Sequence, residues 1–318
     1  MKRVLDYLWP AIGLAAVVFS FYLLFKELRG LSAGDIVVSL NAIPVQRYAF
    51  AAASTVLAYA ALAWYDRIAL LHLGRNLGWV FISLVSFTTY ALSHNIGASV
   101  FSGAMVRYRA YSSKGLSAAE VGVLVALCSF TFGLGTILLG GLVLMVMPEI
   151  VQRLYDLPVW AARGLGAGLL GFVCLYIIGS LRHFKPLTIA GFHLVYPRPP
   201  IALRQLFAAP LELIGAAGII YFALPEVGNP GYLIVLGVFL ASFSAALLSH
   251  APGGLGVLEF IFLTAMPGLP KADVVAALIV FRLFYLLIPL AFAIVMVIGF
   301  ERGRLNAALA ARLRADNN

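Results

Sequence analysis

Charged residues and cysteine are both scarce in this sequence, and their scarcity excludes several classes of protein. Only 11% of the 318 residues are charged and 63% are hydrophobic, whereas an average soluble domain has about 25% charged residues. Such a composition cannot cover a water-soluble fold with polar surface. The two cysteines, Cys128 and Cys174, lie apart in apolar stretches, which excludes a disulfide framework and a cysteine zinc site.

The sequence also lacks the motifs of nucleotide binding and covalent catalysis. It has no Walker loop, no nucleophile motif and no closely spaced set of metal ligands, so we expect neither a cofactor nor an enzyme. The formal net charge of +9 is spread over the loops without a nucleic-acid motif. This charge indicates contact with anionic lipid headgroups at a membrane surface rather than with nucleic acid.

Long apolar stretches fill most of the chain and predict an all-α, polytopic integral membrane protein. A helix needs about 20 apolar residues to cross the hydrocarbon core, and only helices or closed barrels satisfy the backbone there. We expect about eight transmembrane segments in a single domain. Their predicted bounds are 8–25, 48–71, 78–92, 121–147, 159–181, 206–224, 231–248 and 274–300.

The distribution of lysine and arginine does not fit eight full spans. Cytoplasmic loops of membrane proteins are enriched in these residues, yet eight spans would place ten of the 22 inside, eleven outside and Arg282 within a span. Either a segment is re-entrant, as partial spans of transporters are, or several outer basic residues serve another purpose. We favour a re-entrant segment.

Two polar motifs suggest that the chain contains an internal repeat. Residues 86–97 and 242–253 both read S-F-[ST]-x-x-x-L-S-H-x-x-G, at an offset of 156 residues. Residues 116–121 and 269–274 also match, at an offset of 153 residues. We expect two four-segment repeats, about 1–150 and 158–303, followed by a short basic tail, 304–318. The sequence does not decide whether these repeats are parallel or inverted.

The repeated motifs lie where two predicted segments break, at residues 95–103 and 251–259, which are rich in glycine with serine or proline. Such interruptions at corresponding positions of two halves are typical of a substrate site, because unwound backbone is tolerated in a membrane only where it lines a cavity or is buried. Loops at the membrane surface are the alternative. At these breaks His94 and His250 could bind a headgroup, carry protons or lie at the interface.

Several charged residues lie inside or beside the apolar segments. Arg282 is predicted near mid-membrane, where an unpaired charge costs at least about 3 kcal/mol. Its candidate partners are Glu259 and Glu212, and such a pair could also serve helix packing alone. Arg107 and Arg109, beside the first break, either anchor the chain among headgroups or capture phosphate.

Taken together, these motifs resemble the N-terminal transmembrane region of the lysylphosphatidylglycerol synthase family, the bacterial multiple peptide resistance factors. The matching stretches are L-S-H-N-I-G at 92–97, R-Y-R-A-Y at 107–111 and P-G-G-L-G-V-L-E at 252–259. The resemblance implies a multi-pass protein of the bacterial cytoplasmic membrane whose relatives move aminoacylated phospholipid between leaflets. Because the soluble synthase region of that family has no counterpart here, we do not expect aminoacyl transfer.

From the residues and the resemblance we expect a flippase-like lipid translocase that binds a phospholipid headgroup and that could act with a separate lipid-modifying enzyme. The alternatives are an intramembrane enzyme that uses His94, His250 and Glu259 as acid and base groups, and a lipid-binding accessory subunit. The predicted substrate cavity is lined by His94, Asn95, Arg107, Arg109, His250 and Glu259.

Overall fold

The computed structural model describes residues 31–96, 99–153, 158–182, 187–189, 192–194, 197–249 and 254–299. Within them the chain is almost entirely helical. A short 3₁₀ turn (Pro148–Arg153) and two paired three-residue strands, β1 (Leu187–Ile189) and β2 (Phe192–Leu194), are the exceptions. The helices are α1 (Ala33–Ala42), α2 (Val45–His72), α3 (Trp79–Ile96), α4 (Ser99–Ser112), α5 (Ala118–Val146), α6 (Val159–Leu181), α7 (Pro199–Ala223), α8 (Tyr232–Leu248), α9 (Val257–Ala265) and α10 (Lys271–Gly299).

Local sequence signals fix several helix starts. Ser117 and Glu120 form a reciprocal capping box before α5, as Ser32 and Asp35 do before α1, so two otherwise unpaired backbone N–H groups are satisfied at each start. A proline precedes α2, α6 and α10, where its fixed φ suits the entry into a helix. Five helices, α2, α5, α6, α7 and α10, are long and apolar enough to cross a membrane.

Helices α3 and α4 form an antiparallel hairpin, hairpin 1. The Arg107 guanidinium lies 4.8 Å from the centre of the Tyr90 ring, and the Phe81 and Tyr111 rings lie 6.0 Å apart. The two ends of the hairpin return to one level, because Arg75 and Glu120, which flank it, form an ion pair at 2.7 Å. Hairpin 1 therefore adds no net membrane crossing.

Helices α8 and α9 form a second hairpin, hairpin 2. Near its tip, Ala246 of α8 packs against Val257 of α9. At its base, a Cβ placed on Gly228, before α8, would lie 3.3 Å from Leu269, which follows α9. This hairpin also returns to the level at which it began.

The order of elements from α2 to α5 recurs from α7 to α10 about 154 residues later. The counterpart helices α2 and α7 pack against each other in opposite directions: Arg47, near the start of α2, contacts Phe222 near the end of α7, and Tyr65, near the end of α2, contacts Ala209. A Cβ on Gly215 of α7 would lie 2.8 Å from the backbone oxygen of Ser54 on α2. The backbones of α2 and α7 therefore approach each other as closely as small residues at membrane helix interfaces allow.

The all-α, polytopic prediction is confirmed, and the helices after residue 45 follow the predicted segments. The predicted segment 8–25 lies outside the described residues. One expectation needs correction: most of 95–103 is not unwound, since α3 continues to Ile96 and α4 begins at Ser99. The short helix α9 was not predicted either, because its sequence follows a run of glycines.

Candidate functional site

The tip of hairpin 1 lies against the middle of α10. The His94 ring stacks on the Tyr285 ring, with centroids 5.2 Å apart and planes 22° apart. The Asn95 amide donates one hydrogen bond to the Ala91 carbonyl at 2.8 Å and one to the Leu286 carbonyl at 3.1 Å. Phe243 of hairpin 2 meets the His94 ring edge-on at 6.4 Å, so both hairpins contribute to this junction.

The docking surface on α10 is a π-helical segment, Arg282–Leu287. A π segment widens the helix and displaces carbonyls from the regular hydrogen-bond ladder, and such segments occur frequently at functional sites. Here Leu286 offers its carbonyl to Asn95. The π-helical turn of α10 therefore provides a hydrogen-bond acceptor for Asn95 at the tip of hairpin 1.

Glu212 of α7 lies beside this junction with 1% of its surface exposed. The Tyr285 hydroxyl donates a hydrogen bond to Glu212 Oε1 at 2.6 Å, and the Tyr65 hydroxyl lies 3.5 Å from Oε2. Within the part of the chain that the structure describes, no cationic side chain forms an ion pair with Glu212. A buried carboxyl group with hydroxyl partners and no cation favours its neutral form.

A second buried carboxylate, Asp66 of α2, is paired with Arg107 of hairpin 1. The Arg107 Nη2 and Nε groups donate to the two Asp66 oxygens at 2.6 and 3.2 Å. The Tyr111 hydroxyl and the Cys128 thiol also donate to Asp66, at 2.7 and 3.5 Å. A bidentate pair with further donors is the arrangement that compensates the desolvation of two charges.

A third carboxylate, Glu259 of α9, pairs with Arg282 of α10. The Arg282 Nε donates to Glu259 Oε1 at 2.7 Å, and the Gly256 backbone N–H donates to Oε2 at 2.8 Å. Of the two predicted partners of Arg282, the structure selects Glu259. The prediction that Glu212 serves in charge pairing is corrected: its hydrogen bonds go to tyrosines, which lie on the neighbouring helices.

The inner face of α3 carries polar atoms that the described structure leaves unsatisfied. Ser86 Oγ, Thr89 Oγ1 and His94 Nδ1 are buried and have no hydrogen-bond partner among the described residues. Ser86 and Thr89 lie one helical turn apart, His94 follows five residues later at the hairpin tip, and Thr89 contacts Gly103 of α4 at close range. Buried polar groups are otherwise nearly always paired, so this strip has capacity to bind water or a ligand.

Arg109 lies on a different face of α4 from Arg107. It borders a groove of about 390 Å³ between hairpin 1 and the end of α10. The remaining lining is mostly apolar and includes Phe81, Leu84, Met105 and Met296. The groove can take a hydrocarbon chain with an anionic group near Arg109.

The structure thus brings His94 and Asn95 together at one junction and places Arg107 next to them through Tyr90. Arg109 borders the groove, Glu259 pairs with Arg282 at the start of the π-helical segment, and His250 lies outside the described residues. Among the described residues, no group of three histidine, cysteine, aspartate or glutamate side chains is placed to hold a metal ion.

Sequence reasoning missed three residues of the site: Asp66, Tyr65 and Tyr285. Asp66 lies six residues before the end of α2 and is followed by Arg67. In the sequence these two charges look like those found where a helix ends at the membrane interface. The signal that the sequence offered was an aspartate on one helix and an arginine on another, which can form a buried ion pair. The tyrosines carried no signal at all, because tyrosine is common in membrane helices at the interface.

Comparisons with known proteins give relatives over almost the whole chain. The uncharacterized protein slr0712 of Synechocystis is 31% identical over 297 residues, which cover 92% of this chain and 91% of that protein. The inner membrane protein YbhN of Escherichia coli is 32% identical over 266 residues, 82% and 80% of the two chains. A phosphatidylglycerol lysyltransferase of Staphylococcus aureus is 23% identical over 315 residues, 95% of this chain and 35% of that protein. No family model matches the sequence.

Proposed function

The chain belongs to the family of the inner membrane protein YbhN and of slr0712, and we propose that within this family it is a lipid translocase, which moves a phospholipid between membrane leaflets. The weaker similarity to phosphatidylglycerol lysyltransferase makes phosphatidylglycerol or an aminoacylated derivative the first lipids to test. The inner membrane is the proposed site of action, with the phospholipid headgroup as the bound group.

The arrangement of the helices supports transport. Counterpart helices α2 and α7 pack antiparallel, and each half contains one hairpin. We take the halves to be inverted repeats, the architecture in which alternating access places a substrate site near the middle of the membrane between the repeats. In this proposal repeat 1 ends near residue 150 and repeat 2 begins near residue 158.

The single observation that carries the proposal is the junction of the hairpin 1 tip with α10 and with Phe243 of hairpin 2. It combines a π-helical turn, the stacked His94 and Tyr285 rings, and the unpaired polar strip of α3. A headgroup that crosses hydrocarbon needs polar partners along its path. The strip from Ser86 to His94 supplies such partners between the hairpin base and its tip.

The groove beside Arg109 is the proposed entry site for the lipid. Its apolar walls suit one acyl chain, and a guanidinium is well matched to a phosphate oxygen pair. From there, a headgroup would move along α3 while its chains stay in the bilayer. Arg107 has a different role in this proposal, because both its donors to Asp66 hold hairpin 1 against α2.

The test uses purified protein in liposomes that contain headgroup-labelled phosphatidylglycerol, a zwitterionic lipid or an aminoacylated lipid. Leaflet exchange is followed by quenching with a membrane-impermeant reagent. We expect faster exchange than in empty liposomes. Exchange at the rate of empty liposomes for every lipid, with and without an ion gradient, would exclude translocation.

Variants locate the path. Thr89→Val removes one hydroxyl with little change in volume, and His94→Ala removes the tip imidazole. Loss of one polar contact worth about 1–1.5 kcal/mol should slow exchange about tenfold. Arg163→Ala, at an exposed position of α6, is the matched control and should exchange lipid like the wild type. Equal lipid-exchange rates for all three variants would contradict the proposed path along α3 but not the proposed translocase activity.

The same liposomes distinguish an enzyme. Mass spectrometry of the extracted lipids should show unchanged species after incubation, because a translocase alters only their distribution. If new lipid species form and their formation requires His94, the chain is the intramembrane enzyme and not the translocase.

A further inference from the structure

Glu212 stands apart from the other two carboxylates of the site, Asp66 and Glu259, because no described cation neutralises it. Asp66 has Arg107, and Glu259 has Arg282. Glu212 lies thirteen residues into the 25-residue helix α7, so it lies near the middle of the membrane if α7 spans it. There an ionised carboxylate without a cation is strongly disfavoured, and intramembrane acids of this kind are typical of proton pathways.

The hydrogen bonds around Glu212 fit a neutral carboxylic acid. Tyr285 donates its single hydroxyl proton to Oε1 at 2.6 Å. The Tyr65 hydroxyl lies 3.2 Å from the Ala209 carbonyl and 3.5 Å from Glu212 Oε2, and it has only one proton to give. If the Tyr65 hydroxyl donates its proton to the Ala209 carbonyl, it cannot also donate to Glu212 Oε2. Oε2 then has a hydrogen-bond partner only if it is protonated itself and donates to the Tyr65 oxygen.

The ionised form has a partner as well. When Oε2 releases its proton, rotation of the Tyr65 O–H from Ala209 towards Glu212 gives the carboxylate two hydroxyl donors. One hydroxyl rotation thus adapts the site to either state.

The other titratable groups near this site lie on the helices packed against α7. On α5, which contacts Ala209 through Gly135, the group is Cys128, whose thiol donates to Asp66. On α2 they are Tyr65 and Tyr59, whose hydroxyl donates to the Tyr285 carbonyl; on α3, His94; on α10, Tyr285; and on α8, Tyr232, which bonds Ile214 farther along α7. The Asp66–Arg107 pair lies beyond His94 and Tyr90.

Glu212 is also connected to the elements that must move. Its partner Tyr285 lies in the π-helical segment and stacks on His94 at the tip of hairpin 1. A change of charge on Glu212 therefore acts directly on the contact between hairpin 1 and α10.

We propose that Glu212 is a proton-binding site that couples movement of hairpin 1, and with it lipid translocation, to the proton gradient. This inference rests on the proposed function for its coupling step and not for its proton binding. The carboxylate gains one proton from one side of the membrane and releases it to the other in each cycle. The described conformation is the protonated one.

Proton binding is tested without transport, by infrared difference spectroscopy of the purified full chain during a pH titration. A protonated carboxyl group gives a C=O band that ionised carboxylates lack. We expect this band in the wild type at neutral pH and its loss in Glu212→Gln, whereas Glu226→Gln, at a carboxylate 81% exposed, should retain it. A wild-type spectrum without the band, or a band that persists in Glu212→Gln, overturns proton binding at this residue.

Coupling is tested in proteoliposomes with and without an imposed gradient of one pH unit. One proton per lipid should shift the steady-state leaflet ratio of the wild type about tenfold. Glu212→Gln mimics the protonated acid, so it should fold with an unchanged melting temperature and show no shift, while Glu226→Gln should respond like the wild type. A full response of Glu212→Gln overturns the coupling. Absence of lipid exchange in the wild type is instead a failure of the proposed function and leaves the infrared result standing.

Discussion

At the scale of single residues, position on a helix decides what an arginine does. Arg107 and Arg109 are two residues apart, so they point about 200° away from each other around α4. Arg107 is 4% exposed and paired with Asp66, while Arg109 borders the apolar groove. The sequence places both beside the first break, but it cannot separate the buried pair from the groove residue without the helix that carries them.

The Asp66–Arg107 pair should be essential for folding. Asp66→Asn leaves the Arg107 guanidinium buried without a counter-charge, which should cost about 3–5 kcal/mol. The measurement is the free energy of unfolding in detergent. Glu120→Gln, at the partly exposed pair with Arg75, is the control and should lose far less stability, because exposed ion pairs contribute little. Equal losses for the two variants would contradict this account of Asp66.

The Arg282–Glu259 pair should show an asymmetry. Arg282→Met leaves a carboxyl group that a proton can neutralise, whereas Glu259→Gln removes the carboxylate that balances an arginine, which stays charged, and weakens the bond to the Gly256 N–H. We expect Glu259→Gln to lower the melting temperature more than Arg282→Met does. The reverse order would contradict this asymmetry, and two melting temperatures equal to the wild type would show that the pair contributes no stability.

At the scale of helices, close packing of small residues holds the two halves together. A Cβ on Gly215 of α7 would lie 2.8 Å from both the Ala58 nitrogen and the Ser54 oxygen of α2, and backbone atoms cannot move aside as a flexible side chain can. By contrast, nothing lies within 4 Å of a Cβ on Gly164 of α6. The two glycines look alike in sequence.

Gly215→Ala and Gly164→Ala should therefore change stability in opposite directions. Alanine is favoured over glycine within a helix by about 1 kcal/mol, so Gly164→Ala should leave the melting temperature unchanged or raise it. Gly215→Ala must separate α2 from α7, and we expect it to lower the melting temperature. A rise for Gly215→Ala would mean that the two helices are not in direct backbone contact.

At the scale of the whole molecule, the sequence was sufficient for the long helices and insufficient for the short ones and for the mutual arrangement of all of them. Apolar length identified the long segments, and the repeated Ser-His and glycine motifs identified the breaks. Helix α4 escaped prediction because its serines, glycine and two arginines give it a low apolar content, although Gly103 and Arg107 are buried. The choice between Glu259 and Glu212 as the partner of Arg282 depends on which helices touch, and residue spacing along one chain does not contain that information.

The hairpins also resolve the distribution of basic residues. If neither hairpin crosses the membrane and residues 8–25 do, six crossings place 15 of the 22 lysines and arginines on one side and six on the other, with Arg282 inside α10. The rule that cytoplasmic loops are basic makes the richer side cytoplasmic. The six residues on the opposite side are Lys26, Arg29, Arg47, Arg153, Arg163 and Lys271.

This topology differs from eight full spans at two exposed loops, which makes it testable. Ser113, after hairpin 1, should be cytoplasmic, and Val227, before hairpin 2, should be on the outer side, whereas eight spans reverse both. Ser113→Cys and Val227→Cys are treated with a membrane-impermeant thiol reagent in spheroplasts, before and after permeabilisation. Val227→Cys should react at once and Ser113→Cys only after permeabilisation. The unaltered chain is the control, since Cys128 is buried and Cys174 lies within α6. Labelling in the reverse order would contradict this topology, because it is the pattern of eight full spans or of six spans in the opposite orientation.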